Sequence, residues 1–252
     1  DFTKEYARVE NLKPYTKLKL SETNSILVPS GEIKVNKYDF LTKATDVKSF
    51  KEALFIRPST VKQEGDIYTD GLSIMKKNPK TSMIEYKNLV VGAKDEKKLE
   101  THILQSSIEF INVHAGWDTR HRYASLDEFS REVAFRLYID GLPVFNEEGM
   151  TEIHLEYGTQ NVKRYERSYF NLVDEPLDQS AVTLPSAKEA LKSFKNGMGK
   201  QYDANKLTDM TVGYKLIYDD NSGTTLLELK PVWYYQYGGS WMEIPEKDLG
   251  GL

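Results

Sequence analysis

The sequence predicts an α+β fold in which antiparallel sheets are covered by helices and arranged in two lobes. Three observations favour it: helical segments are few, segments rich in Tyr, Thr, Val and Ile are many, and a helix is repeatedly followed by three or four strands. A helix on one face of an antiparallel sheet buries that face economically. We expect repeated units of this kind, in a lobe of residues 1–175 and a smaller lobe of residues 176–252.

Two helices are predicted in the first lobe. Apolar side chains recur at helical spacing in residues 46–55, with Thr45 or Asp46 as the N-cap. A wider apolar stripe covers residues 95–114 and stops at Gly116. A third helix, in the second lobe, is predicted by a capping box after a proline and by a glycine at the expected C-cap; these residues are Ser186 with Glu189, Pro185 and Gly197.

A strand is predicted after Ser125 and Glu128, although these two residues have the spacing of a capping box. The residues that follow alternate between apolar and polar, which is the period of a strand and not of a helix. The apolar positions of this strand are Val133, Phe135, Leu137 and Ile139.

Turn residues between the other apolar segments predict antiparallel hairpins. Residues 68–86 and 138–157 look like copies, because Asp-Gly-Leu and Glu-Tyr recur in both after one inserted residue. We expect both segments to form the same hairpin, each packed on its own helix. The acidic residues 173–183, which contain Pro176, are the predicted linker. The predicted turns are Asp70-Gly71, Asp140-Gly141, Glu148-Gly149 and Asn221-Ser222-Gly223.

Composition excludes several classes of function. The 34 basic and 38 acidic residues give a net charge of −4 and are scattered, so a nucleic-acid partner is not expected. The absence of cysteine excludes disulfides, thiolate catalysis and Cys-ligated metals. No apolar run approaches the roughly 20 residues that span a bilayer. Because the chain begins at Asp1 without an initiator Met, we expect an N-terminal portion, with room for a membrane anchor, to be missing.

The sequence predicts no catalytic residue, no metal and no cofactor. No nucleophile elbow, phosphate-binding loop or dinucleotide-binding turn occurs. Four histidines lack the spacing of a zinc site; of these, His114 is expected to end a helix and His121 to lie in a polar loop, and the others are His102 and His154. Two carboxylate pairs belong to predicted hairpin tips, where water would leave them unperturbed: Glu147 with Glu148, and Asp219 with Asp220.

Two groups of side chains are candidates for binding. In the aromatic segment near the C-terminus, alternation places Trp233, Tyr235 and Tyr237 on a core-facing side and leaves Tyr234 or Trp241 for a ligand. The second group is a cationic, tyrosine-bearing strand that either receives an acidic partner or forms a solvated sheet face. Its members are Lys163, Tyr165, Arg167 and Tyr169, with Arg164, Glu166 and Ser168 on the other side.

Several stretches between about residues 25 and 245 resemble the YycH family, the extracytoplasmic accessory proteins of the WalK/WalR (YycG/YycF) two-component system of low-GC Gram-positive bacteria. They are FIRPSTVKQ, DIYTDG, MIEYKN, SIEFINVHAGWD, VAFRLYIDGLPVFN, LPSAKEAL, TVGYKLIY and LELKPVWYYQYGGSWMEI. The FIRPS and YTDG pair argues against the YycI family, which shares the architecture. These are structural patterns, so the resemblance carries over no site residue and the partner interface stays unknown.

The resemblance implies an extracellular body, a membrane helix that is missing from this chain, and two partners: a YycI-type sister protein and the sensor histidine kinase. It implies that the chain is the C-terminal part of a regulator of cell-wall metabolism that acts by protein binding. Two other classes of function stay open at this point: a cell-wall glycan binder or hydrolase that uses the aromatic strand, and a module resembling protease inhibitors. A concave pocket with convergent ionisable groups would favour an enzyme, whereas flat surfaces would favour a binding module.

Overall fold

A computed structural model describes residues 15–20, 22, 25–90, 102–114, 116–117, 120–159, 161–219 and 226–244. The α-helices are α1 (Val47–Leu54), α2 (Ile103–Val113) and α3 (Ala187–Met198). The strands of the first half are β1 (Tyr15–Lys19), β2 (Ser25–Pro29), β3 (Ile33–Ala44), β4 (Lys62–Glu64), β5 (Ile67–Thr69), β6 (Ser73–Asn78) and β7 (Met83–Asn88). Those of the second half are β8 (His121–Asp127), β9 (Glu132–Ile139), β10 (Leu142–Phe145), β11 (Glu152–Tyr157), β12 (Val162–Ser168), β13 (Phe170–Leu172), β14 (Asp178–Leu184), β15 (Leu207–Asp219), β16 (Leu226–Tyr237) and β17 (Ser240–Glu243).

The three predicted helices are present, with corrected ends. Asp46 caps α1 by accepting a hydrogen bond from the Lys48 backbone N–H, as predicted. The helix predicted over residues 95–114 begins only at Ile103, because His102 has an extended backbone and accepts from the Leu104 N–H as the N-cap; residues 95–101 lie outside the described part. The capping box of Ser186 on α3 is confirmed.

The predicted C-cap of α3 at Gly197 is wrong. The helix continues through Gly197 to Met198, and Gly199 takes the positive φ of 52° that ends it. Glycine is favourable at the C-cap of a helix, and two glycines, Gly197 and Gly199, lie near the end of this one. The backbone N–H of Gly199 donates to the Lys195 carbonyl, so the later glycine is the one that caps the helix.

Contacts divide the chain into two compact units that are not contiguous in sequence. One unit comprises Asp1–Tyr38, Gln179–Tyr214 and Lys230–Leu252, and the other comprises Asp39–Asp178 and Lys215–Leu229. The predicted lobes, 1–175 and 176–252, were contiguous. The difference arises because the long strands β3, β15 and β16 each contribute residues to both units. The predicted linker over residues 173–183 is mostly strand, since β14 pairs with β3.

The larger unit, Asp39–Asp178 with Lys215–Leu229, contains an antiparallel sheet in the order β10-β9-β11-β12-β7-β6-β5-β4, with β8 also paired to β9. Its side chains alternate between two faces. One face packs on α1 and α2 in a single hydrophobic core. We call this the helix face. One row of directly opposed residues crosses its centre: Met75, Tyr86, Tyr165, Leu155 and Val133.

The alternating strand after Ser125 is confirmed as β9, whose predicted apolar positions are all buried. The Asp70-Gly71 turn joins the paired strands β5 and β6, and Asp140-Gly141 joins β9 to β10, both as predicted. Asp140 and Gly141 have φ of 49° and 79°, the left-handed conformation that a two-residue hairpin turn requires. The Asn221-Ser222-Gly223 turn lies outside the described residues.

The prediction that residues 68–86 and 138–157 form the same hairpin is wrong. In the first segment β6 pairs directly with β7. In the second, β9 lies between β10 and β11, so the Glu148-Gly149 turn does not join paired strands. Strands β6, β7, β9 and β11 of the two segments also share one core, rather than each segment packing on its own helix. The α+β class therefore holds, in a chain that is mostly sheet, but these two segments are not repeated units.

The other unit, which contains α3, places β16 between β3 and β15, with β17 on β16 and β14 on β3. Strands β1 and β2 form a separate two-stranded sheet. Helix α3 covers the aromatic strand β16, and the ring of Phe194 lies 3.9 Å from that of Tyr235. Trp233 is fully buried and donates its indole N–H to the Pro185 carbonyl at 2.9 Å.

Candidate interaction surface

The side of the β9-β11-β12-β7 sheet opposite the helix face carries charged residues in cross-strand rows. One row consists of Lys76, Glu85, Glu166, His154 and Ala134, each directly opposite the next. We call this side the ionic face. The next row along the strands consists of Lys87, Arg164, Glu156 and Glu132. Charged residues alternate here with the core residues of the same strands, because successive side chains point to opposite faces.

The charges on the ionic face are held in fixed pairs. Glu85 and Glu166 lie opposite each other, and Arg164 bridges them: its Nε is 3.1 Å from Glu85 Oε1 and its Nη2 is 2.6 Å from Glu166 Oε1. Lys87 Nζ approaches Glu85 Oε1 at 2.6 Å. Two further pairs lie on the same strands, Arg136 with Glu152 and Lys163 with Glu156. A cation between two carboxylates removes the repulsion that the opposed acids would otherwise feel.

The pKa values of this cluster follow from its charges. Partial burial acts to raise the pKa of Glu85, but the hydrogen bond and charge of Lys87 and the charge of Arg164 outweigh it and hold the pKa below its usual value. For Arg164, burial acts to lower the pKa of the guanidinium, and the neighbouring Glu166 and Glu85 outweigh it and raise that pKa. Both groups are therefore held in their charged forms at neutral pH.

Replacing Glu85 with glutamine is expected to reduce the acid sensitivity of the fold. A carboxyl whose pKa is depressed in the folded state stabilises that state above its ordinary pKa, 4.5 for glutamate, and this stability is lost as the pH falls through the lower folded-state value. Thermal melts from about pH 6 to about pH 3 should show a shallower decline for Glu85→Gln than for the native chain. Glu64→Gln, on the exposed strand β4, is the matched control; equal slopes for both variants would contradict the expectation.

His154 lies on the ionic face between two carboxylates. Its Nε2 is 3.7 Å from Glu132 Oε2 and its Nδ1 is 3.9 Å from Glu166 Oε2. These distances exceed those of hydrogen bonds. Across the described residues, no group of three or more His, Asp or Glu side chains converges in a way that could hold a metal ion. The described residues of this face are paired charges, with no such convergent group.

The other histidines have local structural roles. His114 ends α2 as predicted, with its ring stacked on Phe110 at 3.8 Å. His102 caps the start of α2 and lies 3.5 Å from Glu128. His121 does not lie in a polar loop; it is the first residue of β8 and sits opposite Leu137. The loop was predicted from the polar residues before His121, and strand pairing with β9 decides the conformation instead.

The predicted binding strand over residues 163–169 is partly core. Tyr165 and Arg167 are buried under α2 and the residues that follow it, where the Arg167 guanidinium donates to the Gly116 carbonyl at 2.7 Å. Arg167 also lies over the Phe50 ring, 5.6 Å from its centre. Both alternatives that the sequence left open for these two side chains, an acidic partner or a solvated face, are therefore wrong. The outward residues Arg164 and Glu166 form the ionic face instead.

Tyr234, which the sequence left available for a ligand, is also buried. Strand β16 has neighbours on both of its faces, so alternation does not separate core from surface there. Trp241 lies half-buried on β17, opposite Gln236. The carboxylate pair Glu147 and Glu148 is exposed, in the turn after β10. Asp219 is the last residue of β15; its side chain and Asp220 lie outside the described part.

Comparison with known proteins identifies the family. Residues 23–248 match the model of the YycH protein C-terminal domain. The chain belongs to the YycH family. Over 256 aligned residues it is 23% identical to the two-component system WalR/WalK regulatory protein YycH of Bacillus subtilis strain 168, covering 96% of this chain and 54% of that protein. The chain therefore spans about half the length of this curated YycH relative.

The fold is also that of a YycH protein. The crystal structure of YycH from Bacillus subtilis matches 97% of this chain with a TM-score of 0.75 and 19% identity, and the chain covers 61% of that structure. At this identity the likeness concerns the fold. Within the described residues, no helix is both long and apolar enough to cross a membrane.

Proposed function

We propose that this chain is the C-terminal, extracytoplasmic part of a regulator of a WalR/WalK-type two-component system, and that it acts by binding proteins without catalysing a reaction. The match of residues 23–248 to the YycH C-terminal domain carries the proposal, together with the regulatory name of the Bacillus subtilis relative. The proposed partners are the sensor histidine kinase, whose control of cell-wall metabolism it modulates, and a YycI-type sister protein. A membrane anchor outside this chain would hold it at the outer side of the membrane.

The ionic face is the surface that we assign to the kinase or the sister protein. Its carboxylates and cations are already paired in fixed positions, so a partner meets a preorganised charge pattern. Fixed paired charges favour specific recognition and fast association more than chemistry. The geometry supports a binding module better than an enzyme, because these groups neutralise one another instead of converging on a substrate.

The match to the YycH model favours this family over the YycI family. A glycan-binding function loses its main sequence argument, since Trp233 and Tyr234 are buried and cannot stack on a sugar. No observation on the structure favours a protease-inhibitor role.

The test uses the full-length kinase in lipid vesicles with its extracytoplasmic side outward. Added chain should bind these vesicles saturably and change the rate of kinase autophosphorylation. Lys87→Glu, which reverses a charge on the ionic face, should weaken binding by about fivefold or more. Lys188→Glu reverses an exposed charge on α3, which is not part of that face, and should bind like the native chain.

Failure to bind and an unchanged autophosphorylation rate would reject the kinase as the direct partner. Binding that is equally affected by both charge reversals would reject the ionic face as the contact. Melting temperatures of both variants, measured alongside, exclude misfolding as the cause of a loss.

A further inference from the structure

We propose that two copies of this chain associate through the outer edge of β8, which pairs antiparallel with the β8 of the second copy. Among the described strands, only β9 pairs with β8, so the other edge of β8 carries backbone groups with no strand beside them. An edge of this kind accepts a further strand by backbone hydrogen bonds. The inference does not depend on the proposed kinase contact. It concerns the backbone edge of β8, although Arg122 and Asp127 project on the same side of the sheet as the ionic face.

The distribution of charge along β8 selects a second copy as the occupant. Cationic side chains lie at the start of the strand, at Arg122 and the preceding Arg120, and anionic ones at its end, at Asp127 and the following Glu128. Antiparallel pairing places the cationic end of one copy beside the anionic end of the other, at both ends of the contact. A parallel copy would place like charges together. The strand is therefore complementary to itself in one orientation, which is the requirement for a two-fold symmetric contact.

The pairing of β8 with β9 indicates a register. Tyr123 and Leu126 lie opposite Phe135 and Val133, so both are on the helix face, whereas Arg122 lies opposite Arg136 on the other side. Because of the bulge between Tyr123 and Ser125, the Asp127 side chain lies on the same side of the sheet as that of Arg122. Asp127 is opposite Glu132. Placing Arg122 opposite Asp127 of the second copy therefore also places Tyr123 opposite Leu126. Each pair then joins side chains on the same face of the joined sheet.

Two exposed aromatic side chains flank this edge. Tyr123 is 52% exposed, and Phe129, in the turn that follows β8, is 99% exposed. A fully exposed phenylalanine has its whole apolar surface in water, and the free energy of association falls when such surface is buried. In the same register Phe129 approaches Arg120 of the second copy, where a cation can lie over its ring. The bulge and the short strand keep the contact small, so the dimer forms at high protein concentration.

The native chain contains no cysteine, so a single introduced thiol reports the contact without interference. In the proposed register Ser125 of each copy lies next to the two-fold axis. We expect Ser125→Cys to form disulfide-linked dimers under mild oxidation. Gln63→Cys, at the exposed edge of β4, should form at least tenfold less disulfide-linked dimer under the same conditions. Sedimentation of the native chain should show a monomer that becomes a dimer as the concentration rises and returns to monomer in high salt.

Arg122→Glu places an acid opposite Asp127 of the second copy, and we expect it to reduce the association constant by at least tenfold and to suppress cross-linking of Ser125→Cys. The melting temperature of Arg122→Glu at low concentration should equal that of the native chain, which separates a lost contact from a damaged fold. Sedimentation as a monomer at all concentrations up to the solubility limit would overturn the proposal. Equal cross-linking at Ser125 and Gln63, or dimerisation that survives Arg122→Glu, would also overturn it.

Discussion

Replacing Leu137 with aspartate is expected to unfold the larger unit at temperatures where the native chain is folded. Leu137 lies on the apolar side of β9 and is only 5% exposed. An aspartate there would bury a carboxylate without a partner, or would have to be protonated, and either outcome costs about 4 kcal/mol or more. For a chain of this size the melting temperature should fall by about 8–16 °C or the fold should be lost.

The measurement is a thermal melt followed by circular dichroism. Phe129→Asp introduces the same charge at a side chain that is 99% exposed, and it should melt within a few degrees of the native chain. A native melting temperature for Leu137→Asp would mean that β9 does not bury this side, and it would contradict the alternation from which the strand was predicted.

Replacing Trp233 with alanine is expected to have the second largest effect. The indole is fully buried beneath α3 in the smaller unit, and its N–H donates to the Pro185 carbonyl just before the α3 N-cap. Truncation to alanine removes the packing of the indole and leaves a cavity. It also leaves the Pro185 carbonyl without its hydrogen-bond donor. Trp→Ala changes in cores cost about 3–5 kcal/mol, which should appear as a lower midpoint in urea denaturation.

Two controls accompany this change. Trp241→Ala removes the same side chain from the half-buried strand β17 and should cost clearly less. Trp233→Phe keeps an aromatic ring and loses the hydrogen bond, so it should lie between the native chain and Trp233→Ala. An equal loss for Trp241→Ala and Trp233→Ala would contradict the view that Trp233 anchors α3 to the sheet.

Local features of the fold were predicted well because their causes lie within a few residues. The cap at Asp46, the capping box at Ser186 and the Asp140-Gly141 turn each depend on side chains and backbone conformations that are adjacent in sequence. The strand β9 was predicted by its alternation for the same reason. The YycH resemblance also came from such local segments, and the family match confirms it.

Strand pairing was predicted less well, since it joins residues that are distant in sequence. Residues 68–86 and 138–157 share turn residues and alternation, yet β9 lies between β10 and β11 whereas β6 pairs directly with β7. Nothing within either segment specifies this difference. It depends on which other strands compete for each edge, and that is settled when the whole sheet forms.

The ionic face was missed although a signal for it existed. Charged residues alternate in β7, β11 and β12, and alternation predicts that they share one side of each strand. The sequence does not say that these three strands are neighbours, and only their adjacency turns separate charges into the Lys87–Glu85–Arg164–Glu166 pairs.

The sequence by itself determined the α+β class, the three helices with most of their caps, the alternating strand β9, and the YycH resemblance. The tertiary structure decided which face of each strand is covered. Tyr165 and Arg167 became core because α2 and the residues after it cover them, and Tyr234 became core because β16 has neighbours on both faces. Alternation divides a strand into two sides, but burial of either side depends on elements that arrive from elsewhere in the chain.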